Sequence, residues 1–128
     1  FVDHFASSFD VGQVINPKQI RGSIMGGANM GIGAALYEKM EFSEDGKLAN
    51  PHFFKYHLPT FKETPRMTVE LVETPDGFGP FGARGIGEHS VIGSAPAILN
   101  AIRDAVGIDF YEIPVTPEIM KKALQEKS

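Results

Sequence analysis

Neither cysteine nor tryptophan occurs anywhere in these 128 residues. Without thiols the chain has no disulfide, no cysteine-ligated zinc and no thiolate for an iron–sulfur cluster. The missing cysteine fits a reducing compartment, so a cytoplasmic location is the expectation, although a disulfide-free protein can equally be exported. Positive charge is scarce too: 12 Lys and Arg stand against 16 Asp and Glu, a formal net charge of −4. No basic run offsets that balance, which argues against a nucleic-acid surface. No apolar run approaches the ~18 residues that suggest a membrane span. The opening Phe1-Val-Asp-His-Phe-Ala6 has neither the basic nor the apolar region of a signal peptide. It lacks an initiating Met and begins in strand-like sequence, as a piece of a longer polypeptide would; Lys121–Ser128 reads as a natural frayed end.

What is present in quantity is glycine, 14 residues in two concentrations. The first is Gly77-Phe-Gly-Pro-Phe-Gly-Ala-Arg-Gly-Ile-Gly-Glu88, five glycines within eleven positions, closed by one carboxylate. Bare backbone of this kind lets another molecule approach the main chain closely. Two readings follow: a loop that cradles a ligand and delivers Glu88 to it, or a plain surface loop with an exposed glutamate. The second concentration is Met25-Gly-Gly-Ala-Asn-Met-Gly-Ile-Gly33, inside a segment of helical periodicity. Four glycines in a helix cost roughly 3–4 kcal/mol relative to alanine. The cost implies a close approach there by a sheet, another chain or a cofactor.

The remaining punctuation defines one region over 1–128, with no repeat and no linker. Phe1–Phe9 is expected to be a strand. Asn16 caps and Pro17 opens a helix over about 17–40. Glu44-Asp45-Gly46 is a hairpin-type turn, Pro51–Pro59 is extended, and Met67–Val72 alternates as a half-buried strand should. After the glycine-rich loop over Thr74–Gly87, Ser94 and Pro96 start a helix that Gly107 closes, and Thr116-Pro117 starts the last one. The fold class that results is α+β: a two-layer arrangement of a mixed sheet with packed helices.

Several common chemistries fail on their surroundings. Gly77-x-Gly79-x-x-Gly82 matches a dinucleotide pattern, but Pro80 sits inside it and no helix opens from it. The Gly26–Gly31 spacing is followed by Ile32-Gly33, not by the Lys-Ser/Thr of a P-loop. His4, His52, His57 and His89 are scattered without metal-ligand spacing, so no metal ligand is assigned. No serine lies in a Gly-x-Ser-x-Gly elbow. The residues themselves therefore offer one acid, Glu88, on a glycine loop, with a glycine-interrupted helix as a second wall. Phe78 and Phe81 are expected to anchor that loop against the core, and Arg84 to form a salt bridge with a neighbouring segment.

The order of motifs resembles a known family. Asp10-Val-Gly12, Ile15-Asn-Pro17, Gly26-Gly27, Gly31-Ile-Gly33 and Leu36-Tyr-Glu38 come first. Tyr56-x-Leu-Pro59, Gly82-Ala-Arg-Gly-Ile-Gly-Glu88, Ala95-Pro-Ala97 and Pro114-Val-Thr-Pro117 follow. Over essentially all 128 residues this is similar to the C-terminal part of the molybdopterin-binding large subunit of the xanthine dehydrogenase and aldehyde oxidase family. The resemblance implies a portion of a molybdenum cofactor-binding domain, completed by other segments or chains. It implies a molybdenum hydroxylase acting on a carbon of an aldehyde or N-heteroaromatic ring, with water as the oxygen source. Glu88 matches the family's active-site base. Gly85, Ile86 and Gly87 would meet the cofactor through their backbone, and Ser23 and Gly26 from the helix. Family members often carry glutamine at the positions of Ser23 and Met30, so the resemblance implies that the contact from Ser23 is shortened, water-bridged or lost. Iron–sulfur clusters and FAD are implied on partner domains or subunits, a higher-order dimer is expected, and the isolated chain should be inert. The competing reading is a non-catalytic scaffold or interaction module of the same fold.

Overall fold

The computed structural model describes residues 1–74 and 77–127. Residues 75 and 76, within the expected glycine-rich loop, and the terminal residue 128 lie outside the described residues. The elements are β1 (His4–Asp10), α1 (Pro17–Leu36), β2 (Arg66–Val72), a 3-10 turn (Pro80–Gly82), α2 (His89–Val106) and α3 (Pro117–Lys127). β1 and β2 pair in parallel, His4 opposite Arg66 through Asp10 opposite Val72. The α+β class holds. Among the described residues, however, the ladder is parallel, and antiparallel pairing is confined to the isolated bridges Gly12–Ala83 and Phe42–Leu48. Among the described residues no helix is long and apolar enough to cross a membrane.

α1 begins as its sequence demands. The Asn16 side chain accepts from the Gln19 amide at 3.1 Å, and Pro17 spends no hydrogen bond at the first position. It stops at Leu36, not near 40. The amides of Tyr37 and Glu38 both turn back to the Gly33 carbonyl, at 2.9 and 2.8 Å. Gly33 permits this because the Glu38 carboxylate occupies the place of its missing side chain. The expected extended run 51–59 is instead turned, with His52 O accepting from the amides of Lys55 and Tyr56 at 2.8 Å each.

α2 starts five residues before the expected Ser94. Ser94 is fully buried inside the helix, and its hydroxyl donates to the Ser90 carbonyl at 2.5 Å. That bond back to residue i−4 is the mid-helix alternative to capping. Pro96 lies within α2, where its missing N–H leaves one ladder bond unmade. Gly107 caps the end in the left-handed region at φ 64°, and α3 starts at Pro117, both as expected.

The helices account for two of the glycines. A Cβ on Gly27 would overlap the Ser90 hydroxyl, and one on Gly31 would overlap the Ser94 Cβ. Further along, Ile32 and Ala35 of α1 cluster with Ile98 of α2. The pairs advance together along both helices, so α1 and α2 run parallel, 63 residues out of register at the first two contacts. This small-residue crossing brings the backbones close, and the buried residues Ile24, Ala28, Ile32, Ala35 and Ile98 form the apolar centre around it.

Candidate functional site

Parallel strands followed by parallel helices place all the connections of one kind at one end. The chain leaving β1 passes through residues 11–16 to α1, and the chain leaving β2 passes through the glycine loop to α2. In open α/β arrangements ligands bind in this crevice beyond the carboxyl ends of the strands. The Gly85–Glu88 segment lies at this end, because the loop before it is bonded to the backbone after β1. Ser23 is one turn before Gly27 on α1, and Gly26 is next to Gly27, the glycine that meets Ser90 of α2.

Glu88 is the residue immediately before α2, and it is exposed. Its side chain makes no capping bond to the helix. The carboxylate is thus open to solvent among the described residues. In this chain alone no dry pocket encloses it. Gly85 and Gly87 on the loop, and Gly22 and Gly26 on α1, have nothing else within 4 Å of where a Cβ would stand. Ile86 between the two loop glycines is half-buried, which pins the loop between them. Ser23 is exposed on the same stretch of α1.

The base of the loop is fixed. The Gln13 amide donates to the Gly82 carbonyl at 2.8 Å, and the Arg84 amide to the Val11 carbonyl at 2.9 Å. Asp10 takes the Gly12 amide at 3.0 Å and the Arg84 guanidinium at 2.8 Å. The Gly12 amide above all, with help from Thr74 and the Arg84 charge, holds the Asp10 carboxyl below its ordinary range. The expected Arg84 salt bridge is thereby found. The expectation for the two loop aromatics is not. Phe78 is 94% exposed and Phe81 89%, the latter inside the 3-10 turn Pro80–Gly82 at a φ of 57°. Sequence reading also missed Ser90, whose buried hydroxyl has no hydrogen-bond partner beside Gly27. The small spacing Gly27-x-x-x-Gly31 opposite Ser90-x-x-x-Ser94 was the available signal.

With this geometry in place, comparison with known proteins defines the class. A model of the molybdopterin cofactor-binding domain matches residues 1–65. The gamma subunit of the 6-hydroxypseudooxynicotine dehydrogenase complex of Paenarthrobacter nicotinovorans is 43% identical over 119 residues, 89% of this chain and 15% of that protein. The xanthine dehydrogenase molybdenum-binding subunit of Escherichia coli O157:H7 is 32% identical over 118 residues, 91% of this chain and 16% of that protein. The crystal structure of quinoline 2-oxidoreductase from Pseudomonas putida 86 superposes with a TM-score of 0.90 at 29% identity, covering 97% of this chain and 16% of that one. The chain belongs to the molybdopterin cofactor-binding family and corresponds to a part of the molybdenum-binding large subunit of the xanthine dehydrogenase group. It spans about one-sixth of the length of these relatives.

The residues present fit such a cofactor at the backbone. Gly85 and Gly87 border open space among the described residues, and consecutive main-chain amides of a glycine loop suit the anionic edge of a pterin phosphate. The metal is a separate matter: among the described residues no three His, Asp or Glu side chains are grouped to hold an ion. The wall, not the metal ligation, is what this chain can contribute.

Proposed function

We propose that this chain forms one wall of the cofactor and substrate pocket of a molybdenum hydroxylase, with Glu88 as its active-site base. The reaction converts a carbon–hydrogen bond of the substrate and one water into a hydroxylated carbon, two protons and two electrons. A bound molybdenum–pterin group supplies the oxygen transfer and the electron acceptance. The chain's own residues do the rest. Glu88 takes a proton from the water-derived oxygen as it is delivered to the substrate carbon, the task of a general base within hydrogen-bond reach. Gly85, Ile86 and Gly87 offer backbone amides and room to the cofactor, and Ser23 and Gly26 flank it from α1. The observation that carries this reading is an exposed carboxylate with no capping bond, immediately before α2, beside Gly85 and Gly87, which border open space among the described residues.

The relatives' names support an N-heteroaromatic substrate class alongside aldehydes, since one is named for a nicotine derivative and one for quinoline. The rest of the large subunit, iron–sulfur and flavin subunits and a higher-order dimer complete the enzyme in this reading, and the cytoplasm houses it. Iron–sulfur and flavin partners carry away the two electrons.

Substituting Glu88→Gln in the assembled enzyme tests the base. Turnover should fall by about 10²–10⁴-fold, the usual worth of a positioned base, with molybdenum content unchanged. Full turnover in that variant would leave the scaffold reading standing. The 128-residue chain purified by itself should hold no molybdenum and catalyse nothing; stoichiometric metal on it would refute a pocket divided between segments.

A further inference from the structure

Glu88 is tethered on one side by α2 and on the other by Gly85-Ile86-Gly87, a stretch with two glycines in open space. Half-buried Ile86 holds the middle of that stretch, so its position depends on where its two ends are fixed. Its far end is Arg84, which is held at several points. The guanidinium donates to Asp10 at 2.8 Å and, through its other terminal nitrogen, to the Thr74 carbonyl at 3.4 Å, while the Arg84 amide donates to Val11 O. One side chain thus joins the end of β1, the exit of β2 and the loop. Gly12 beneath it stands at φ +62°, and a Cβ there would collide with the Gly82 carbonyl. The loop therefore lies directly on the backbone after β1, and no side chain can intervene.

Resting on the proposed role of Glu88, we infer that the Asp10–Arg84 pair is a positioning device for the base, fixing the loop four residues upstream of it. The alternative use of Arg84, receiving a substrate carboxylate, conflicts with a guanidinium already engaged by Asp10 and Thr74. A base held within a fraction of an ångström acts efficiently, whereas a displacement of about 1 Å costs on the order of 100-fold.

The test uses Arg84→Met, Arg84→Lys and Asp10→Asn in the assembled enzyme, assayed with an uncharged aldehyde or heteroaromatic substrate. Arg84→Met should lower kcat at least tenfold with KM within twofold and molybdenum content intact. Arg84→Lys, which keeps the charge beside Asp10, should recover most of the loss, and this variant also guards against misfolding of the first. Asp10→Asn combined with Arg84→Met should be no worse than the weaker single variant, as members of one coupled unit behave. On a Glu88→Gln background Arg84→Met should add nothing. If Glu88→Gln leaves turnover unchanged, the base reading fails and this inference falls with it. If Glu88→Gln abolishes turnover while Arg84→Met keeps its kcat, only the inference falls. A rise in KM confined to carboxylated substrates, or loss of molybdenum from Arg84→Met, overturns it as well.

Discussion

Two sets of glycines in α1 have opposite surroundings. Gly27 and Gly31 are filled from outside by Ser90 and Ser94 of α2, so their missing side chains are the helix–helix contact. Gly22 and Gly26, on the same helix and of the same propensity cost, border nothing within 4 Å, as do Gly85 and Gly87 on the loop. The first set is explained by the fold. The second meets nothing among the described residues, as is also true of Gly46, Gly77 and Gly93, so only the binding of another molecule can distinguish it from plain surface.

The difference can be broken most forcefully at the open set. Gly87→Leu in the assembled enzyme should expel most of the bound molybdenum cofactor, read by metal analysis, because a four-carbon side chain enters the space assigned to it. Undiminished metal would show that the space is simply solvent.

A gentler pair of substitutions sharpens the contrast on one helix. Gly31→Ala forces a methyl group against the fully buried Ser94 and should destabilise the fold by about 1–3 kcal/mol. Gly26→Ala meets nothing and should stabilise it by up to about 1 kcal/mol, through helix propensity alone. Equal effects of the two on thermal unfolding would erase the distinction.

The smallest expected effect concerns the loop's base in acid. The Gly12 amide, with Thr74 and Arg84, lowers the Asp10 carboxyl, and the Thr60 amide, with His57, lowers that of Glu63. A lowered folded-state value contributes stability that is complete above the unfolded value and lost as pH falls through the folded one. Stability should accordingly decline below about pH 4, where free carboxyls protonate. Asp10→Asn should flatten part of that decline when unfolding is followed by circular dichroism across pH.

Local signals were readable in advance and distant ones were not. Asn16-Pro17, Gly107 and Thr116-Pro117 mark element ends through contacts within a few residues, and the structure places ends at all three. The Ser94–Pro96 pair misled because serine before proline has the chemistry of a helix start. Burial against Gly31 and the bond to Ser90 make Ser94 a mid-helix residue instead. Family resemblance supplied Glu88 and the loop residues, and the structure places Glu88 exposed immediately before α2. The Asp10–Thr74–Arg84 junction joins residues up to 74 positions apart, and no spacing rule links such partners. Phe78 and Phe81 were assigned inward on hydrophobicity alone, and the structure leaves both exposed.

The parallel course of α1 and α2 has an electrical consequence. Peptide dipoles in each helix sum to about half a positive charge at its N-terminus, and here both point toward the same end of the molecule. Neither helix has an acidic side chain in its first turn, and the acid nearest this field is Glu88, immediately before α2. A phosphate-bearing molecule approaching that end would meet two helix starts together with the Glu88 carboxylate.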